Sequence, residues 1–183
     1  MRQLKLYLAV ILSGALTGCS QHLVSSPTES THHPLEPVTA ALQKTSNLTY
    51  SPQNWPQTLQ GDIHRPDNNT TYPAVLLVHG GGWRGRSRQD TNNLAKEIAG
   101  SGYVVFNISH RFAPQHQFPE QIYDVQLALR WLRSNARSFK LNPDKIASWG
   151  YSSGAHLAAM LGAITSNNII DQPYGGPDAR VQA

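Results

Sequence analysis

The stretch ASWGYSSGAH, residues 147–156, decides how the rest of the sequence is interpreted. It contains the pattern G-x-S-x-G, with Ser152 at its centre and Gly150 and Gly154 on either side. The apolar segment KIASWG precedes the serine and the run SGAHLAAML follows it, so the pattern predicts a strand, a tight turn and a helix. Such a turn strains the serine backbone and places its hydroxyl at a helix N-terminus, where the dipole favours negative charge. We therefore predict that Ser152 is a nucleophile. A serine-rich helix cap, the alternative, does not explain both glycines.

A second glycine-rich motif, HGGGW, occupies residues 79–83 at the end of the apolar run AVLLVHG. Glycines let backbone N–H groups approach a substrate closely, and two such groups can form an oxyanion hole with the N–H that follows the nucleophile. We assign this role to Gly81, Gly82 and Ser153, and we expect His79 to support the loop through hydrogen bonds. A phosphate-binding loop is the alternative, but the motif lacks the G-x-G-x-x-G spacing and the G-K-[ST] ending.

The sequence around the two motifs alternates between short apolar runs and segments with helical spacing. AVLLVHG and YVVFNIS are continuous apolar runs, which are typical of strands buried on both faces of a parallel sheet. TLQGDIHRP predicts a strand that ends at Pro66, and a helix is predicted from Asp90, as N-cap, to Gly100 or Gly102. Residues 119–139 carry apolar side chains at helical spacing. This alternation indicates an α/β fold with a mostly parallel sheet and flanking helices.

Residues 74–162 resemble α/β-hydrolase-fold esterases of the hormone-sensitive-lipase and feruloyl/acetylxylan-esterase-like group. VHGGGWRGRSR is similar to the oxyanion loop of that group, and SHRFAPQHQFP is similar to its Y-R-L-A-P-E-x-x-F-P segment. The resemblance implies an α/β-hydrolase fold and hydrolysis of short-chain carboxylic esters with no metal and no cofactor. His110 and Gln115 replace a tyrosine and an acid of that segment. We expect these replacements to change the lining of the active-site entrance but not the class of reaction. The resemblance also gives Asp124 a structural role, as a cap or as a partner of Arg111.

The sequence does not show which groups would activate Ser152. In α/β hydrolases a carboxylate and then a histidine follow the nucleophile along the chain. After Ser152 the chain offers Asp171, Asp178 and His156, and we expect His156 to pack against a neighbouring loop because it cannot reach back over the turn. His116 precedes the serine, and we expect no carboxylate to orient it. We therefore expect an N-terminal, C-terminally incomplete part of an esterase, inactive by itself because the triad acid and histidine lie beyond its last residue.

The first 20 residues, MRQLKLYLAVILSGALTGCS, have the layout of a bacterial secretory signal, with a charged start, an apolar core and small residues at the end. The apolar run is too short to span a bilayer as a stable helix. Residues 16–19 resemble the lipobox of bacterial lipoproteins, which implies acylation of Cys19 and attachment to the cell envelope. Ser20 stands where an inner-membrane retention signal would carry Asp, so the resemblance implies the outer rather than the inner membrane. A plain secretory signal with a chance cysteine is the alternative.

Length and composition fit one domain behind that leader. We expect a signal peptide over residues 1–18, a flexible tether rich in Ser, Thr and Pro over residues 19–46, and the hydrolase domain over residues 47–183. The net charge of +4 comes without a basic stripe, which makes nucleic acid an unfavoured partner. The single cysteine excludes an internal disulfide and a cysteine-based metal cluster.

Two further functions remain as alternatives to a serine carboxylesterase with a small-molecule ester substrate. The first is a non-catalytic, lipid-anchored protein that uses the same pocket to bind acyl or carbohydrate ligands. The second is a peptidase on the same fold, which HGGGW favours less than an esterase. The sequence does not distinguish acetyl, feruloyl and lipid esters, and it does not indicate an oligomeric state.

Overall fold

The computed structural model describes residues 37–164, residue 170 and residues 179–182. The predicted signal peptide, Cys19, most of the predicted tether, Asp171 and Asp178 lie outside the described residues. The chain divides into two units, residues 1–34 and 35–183, and every described residue belongs to the second. Within that part, no helix combines the length and the hydropathy that crossing a membrane requires.

The described chain alternates strands and helices in the predicted order. A short 3₁₀ turn, Arg88–Thr91, precedes the first α-helix. The strands are β1 Leu42–Thr49, β2 Gln60–Pro66, β3 Tyr72–Val78, β4 Val104–Ile108 and β5 Leu141–Gly150, and the helices are α1 Asn92–Gly100, α2 Glu120–Ser134, α3 Ala136–Phe139 and α4 Ser153–Ala163.

The sheet has the strand order β1-β2-β4-β3-β5. Strand β3 pairs in parallel with β4 and with β5, whereas β2 pairs antiparallel with β1 and with β4. Val78, the last residue of β3, stands opposite both Ile108 of β4 and Gly150 of β5. The carboxyl ends of the three parallel strands therefore share one edge, where the loops that follow them meet.

Helices pack on both faces of the sheet. Successive strand residues point to opposite faces. Accordingly, Leu76 and Phe106 join the large core with helices α2 and α4, while the adjacent residues Leu77 and Val105 pack against α1. The predicted apolar face of α2 is confirmed, since Ile122, Val125, Leu129 and Leu132 are fully buried. These layers hold the carboxyl edge of the sheet in place.

Two local predictions differ from the structure. Strand β1 already begins at Leu42, inside the range 19–46 that was assigned to a tether, because it is an edge strand with mostly exposed side chains and hence a polar sequence. Asp90 does not cap α1, which begins at Asn92. Instead its carboxylate accepts the Ser87 N–H at 3.2 Å in the preceding turn. The predicted end of the helix at Gly100 is confirmed.

Candidate active site

The strand, turn and helix predicted around Ser152 are present. Strand β5 ends at Gly150 and helix α4 begins at Ser153, so Ser152 lies at the tip of the turn. Its backbone adopts φ 53° and ψ −126°, a conformation that non-glycine residues rarely adopt. Ser152 is exposed to solvent. The turn thus presents a hydroxyl above the carboxyl edge of the sheet, at the N-terminus of a helix.

The two glycines of the motif are required by close backbone packing. A Cβ atom on Gly150 would lie 2.4 Å from the carbonyl oxygen of Gly154. A Cβ atom on Gly154 would lie 2.3 Å from the oxygen of Val78 and 2.5 Å from that of His79. Such distances are far shorter than any carbon–oxygen contact without overlap. The glycines therefore let the elbow close and let α4 rest against the end of β3.

The HGGGW loop lies against the elbow. A Cβ atom on Gly80 would lie 2.8 Å from the Tyr151 carbonyl oxygen, so the two motifs are in direct contact. Gly81 and Gly82 have φ values of +126° and +62°, and Trp83 follows with φ 59°. Three successive residues with positive φ turn the loop sharply, which glycine allows at the first two positions.

The amide groups assigned to the oxyanion hole are available. Among the described residues, no backbone or side-chain acceptor receives a hydrogen bond from the N–H of Gly81, Gly82 or Ser153. Two other bonds fix the ends of the loop. The Arg84 N–H donates to the Gly81 oxygen at 3.1 Å, and the Ala113 N–H donates to the Trp83 oxygen at 2.7 Å. A loop anchored in this way can offer free donors to a substrate oxygen.

His79 has the position expected of a loop support. Its ring is fully buried, and Nδ1–H donates to the Gly80 carbonyl oxygen at 2.7 Å. The ring stacks on that of His110, with centroids 4.6 Å apart and planes 15° apart. Burial lowers the pKa of His79 from 6.5 to about 4, and burial also lowers the pKa of His110. We expected His110, which replaces a tyrosine, to line the active-site entrance. Instead, His110 is buried beneath the loop.

A network of charged side chains supports the loop after β4. Arg111 Nε lies 2.9 Å from Asp124 Oδ1, and the Arg111 N–H donates to Asp124 Oδ2 at 2.9 Å. Trp55 Nε1 donates to the same carboxylate at 3.0 Å. Arg111 Nη1 also pairs with Glu120 Oε2 at 2.7 Å. Asp124 therefore pairs with Arg111, the structural role that the resemblance implied.

His116 has a carboxylate partner, contrary to expectation. Its Nδ1 lies 2.7 Å from Glu120 Oε2, because the loop returns to the start of α2 within four residues. The spacing of four between a histidine and a glutamate was the available sequence signal. His156, by contrast, behaves as expected, since its ring packs edge-on against Trp83 of the HGGGW loop, with centroids 5.6 Å apart.

No histidine in the described part of the chain serves Ser152. Within the described residues, no hydrogen bond reaches the Ser152 hydroxyl. Three of the five described histidines are buried, one pairs with Glu120 and one packs against Trp83. They are His64, His79, His110, His116 and His156. The described residues thus supply a hydroxyl and free amides but no base.

A cavity of about 450 Å³ opens beside the HGGGW loop and the first turn of α4. Its apolar walls include Trp83, Phe118 and Leu157, and His156 contributes to its rim. A larger cavity of about 770 Å³ lies between residues 49–56 and helix α2. That cavity contains no residue of either motif, so the smaller one is the candidate substrate pocket.

Comparison with known sequences places these features in a family. The profile of the BD-FAE family matches residues 61–181. The probable carboxylic ester hydrolase LipM of Mycobacterium tuberculosis is 35% identical over 123 residues, which are 65% of this chain and 28% of LipM. Esterase LipC of the same organism is 36% identical over 58% of this chain and 27% of its own length. The chain thus spans less than a third of these relatives.

Comparison with solved structures gives the same fold. A bacterial heroin esterase matches 65% of this chain and 37% of its own, with a TM-score of 0.57 and 28% identity. The thermophilic esterase Est2 of Thermogutta terrifontis matches 78% of this chain and 50% of its own, with a TM-score of 0.65. Est2 is only 22% identical and supports the fold alone. The predicted α/β-hydrolase fold is confirmed, and the chain belongs to the BD-FAE family, among the α/β-hydrolase carboxylic ester hydrolases of the hormone-sensitive-lipase group.

Proposed function

We propose that the protein is a serine carboxylesterase that acts on short-chain carboxylic esters. Ser152 is the nucleophile, and the N–H groups of Gly81, Gly82 and Ser153 form the oxyanion hole. The observation that carries this proposal is the contact between Gly80 and Tyr151, which joins a loop with free amides to the turn that presents the hydroxyl. The carboxylesterase names of the relatives support the reaction class.

The proposed reaction begins when Ser152 Oγ attacks the ester carbonyl carbon. The Oγ–C bond forms, the carbonyl π electrons move to the oxygen, and a base takes the hydroxyl proton. The free N–H groups stabilise the resulting oxyanion, by about 3–4 kcal/mol for each well-placed donor. The base then gives this proton to the oxygen of the leaving alcohol as the ester C–O bond breaks. Water next attacks the acyl-serine, gives a proton to the base and releases the acid, while the base returns the proton to Ser152 Oγ.

The base is the part that the described residues do not supply. We propose that the carboxylate and the histidine of the triad come from residues that follow position 183 in the full-length protein. Without them the hydroxyl stays protonated at neutral pH, and the oxyanion hole alone gives a small part of the roughly 8–23 kcal/mol that enzymes contribute. The 183 residues by themselves should therefore hydrolyse esters poorly.

Two assays of 4-nitrophenyl ester hydrolysis test this proposal. In the full-length protein, Ser152→Ala should lower kcat at least about 10³-fold. Ser101→Ala, at the end of α1, is the control and should leave kcat unchanged. Ser153→Pro removes one oxyanion donor and also restricts the backbone of Ser152, whose φ of 53° a following proline disfavours, so it should lower kcat at least about 10²-fold. Unchanged kcat in both Ser152→Ala and Ser153→Pro would refute the esterase.

The 183-residue chain gives the complementary result. A fluorophosphonate probe should label Ser152 slowly, and Ser152→Ala should barely change the residual hydrolysis. Rapid labelling of Ser152 would instead show that a base is present, and His116, with its partner Glu120, would be the first residue to replace. Ligand binding without any Ser152-dependent hydrolysis in either form would favour the non-catalytic binding protein.

We also propose that the protein is attached to the bacterial outer membrane through lipid on Cys19. The support is the segment at residues 16–19, which has the order of a lipobox behind a charged and apolar leader. Cys19→Ser should leave an unprocessed precursor that incorporates no labelled fatty acid. A mature, lipidated Cys19→Ser protein would contradict the proposal.

A further inference from the structure

The cavity beside the HGGGW loop combines apolar side chains with one arginine. Trp83 and Phe118, with 39% and 64% of their surfaces exposed, provide apolar walls. Arg84 lines the same cavity, and none of the described residues that line it is acidic. A cavity of this kind pairs apolar surface with one fixed positive charge, because an arginine side chain is always protonated.

Arg84 differs from the arginines that follow it. Arg86 lies 4.0 Å from Asp90, and Arg88 lies 3.2 Å from Asp62. Among the described residues, Arg84 has no carboxylate within salt-bridge distance and donates no side-chain hydrogen bond. The stretch 84–88 therefore contains two cations with partners and one, at the cavity, whose guanidinium remains available to a ligand.

The geometry of this pocket limits the group that would use Arg84. The volume of about 450 Å³ holds an aromatic ring or a short acyl chain between Trp83 and Phe118. Arg84 is an exposed residue of the same lining, and its planar guanidinium carries paired donors that match a carboxylate. We propose that the pocket selects esters in which an apolar acyl or alcohol group ends in an anionic group, and that Arg84 is the residue that recognises the anion.

This inference rests on the proposed function in one respect, namely that the bound molecule is an ester substrate. Recognition of the anionic group by Arg84 does not depend on Ser152. It can therefore be tested by binding alone. The probes are 4-phenylbutyrate and 4-phenylbutanamide, which share a ring and a chain and differ in charge. Binding to the 183-residue chain is measured by calorimetry, and quenching of tryptophan emission gives a second readout because Trp83 lines the pocket.

The wild-type chain should bind the carboxylate about tenfold more tightly than the amide. Arg84→Gln should weaken carboxylate binding about tenfold and leave amide binding unchanged, and Arg84→Lys should recover part of the loss. Arg86→Gln removes an equal charge two residues away that does not line the cavity, and it should change neither affinity. Added salt should reduce the preference for the carboxylate in the wild type and in Arg86→Gln, but not in Arg84→Gln.

Three results would overturn the proposal. They are equal affinity for both probes in the wild type, an equal loss in Arg84→Gln and Arg86→Gln, and no binding of either probe. Since neither probe is an ester, these results are independent of hydrolysis. The wild type could prefer the carboxylate while Ser152 proves unnecessary for hydrolysis. That combination would refute the proposed esterase function and support the anion site at Arg84.

Discussion

Two loop regions at the carboxyl edge of the sheet are held in different ways. The first region is called the glycine contacts. There Gly80 packs on the elbow and Gly154 packs on the end of β3, and neutral His79 lies beneath them. In the second, the charged network, Arg111 and Asp124 join the loop after β4 to α2. The first region depends on the absence of side-chain atoms, and the second depends on their charge. They should therefore fail under different perturbations.

The largest effect is expected from Asp124→Asn in the charged network. Asp124 is fully buried and accepts bonds from Arg111 and Trp55, so the variant leaves the buried guanidinium with a single charged partner, the partly exposed Glu120. We expect a loss of about 3–5 kcal/mol in the free energy of unfolding, measured by urea denaturation. Asp144→Asn, at an exposed site, should stay within about 0.5 kcal/mol of the wild type. Equal behaviour of the two variants would contradict the importance of the network.

Acid should lower the free energy of unfolding mainly through the glycine contacts, because buried histidines lie beneath them. Burial lowers the pKa of His79 to about 4, so between pH 6.5 and 4 the unfolded chain takes up the proton and the folded chain does not. Stability is therefore complete above about pH 6.5 and falls as the pH drops towards 4, by about 3 kcal/mol from His79 alone. Urea midpoints at about pH 7 and about pH 4.5 measure this loss.

His110 sharpens the acid experiment because burial lowers its pKa as well. His110→Phe removes that second titrating ring and should lose less stability between the two pH values than the wild type does. His156→Gln, which changes an exposed histidine, should lose as much as the wild type. An identical acid loss in His110→Phe would show that the protonation of His110 contributes nothing to it.

A smaller effect is expected from Gly154→Ala. The added carbon would overlap the backbone of Val78 and His79, and the helix would have to move, at a cost of about 1–3 kcal/mol. Gly162→Ala is the matched control in the same helix, since its Cβ would meet nothing nearer than 3.8 Å and alanine favours helix. Thermal denaturation should show Gly154→Ala below and Gly162→Ala at or above the wild type. The reverse order would refute the close packing.

The smallest effect is expected from Glu120→Gln. Glu120 pairs with Arg111 and His116, but 38% of its side chain is exposed and Asp124 still holds Arg111. Such a partly solvated pair contributes about 0–1 kcal/mol. A loss as large as that of Asp124→Asn would mean that the two carboxylates act as one unit, which a double variant would reveal.

The parts that the sequence predicted are those whose signals are local. The elbow needs a strand, two glycines and a helix within a short stretch, and the apolar runs of β3 and β4 follow directly from burial on both faces. Strand β1 was partly missed because an exposed edge strand has no apolar alternation. The pairing of His116 with Glu120 was missed because a spacing of four residues indicates such a pair only where the chain turns, and the path of this loop is not encoded locally.

The contact between Gly80 and Tyr151 has a consequence for how this site can evolve. Motif notation treats residue 151 as free, yet its ring and carbonyl oxygen leave no room for a Cβ atom at position 80. A larger residue at position 80 would become acceptable only with a smaller ring at position 151 and a shifted turn. Libraries that vary Tyr151 with Gly80 fixed should therefore yield far more folded clones than libraries that vary Gly80 alone.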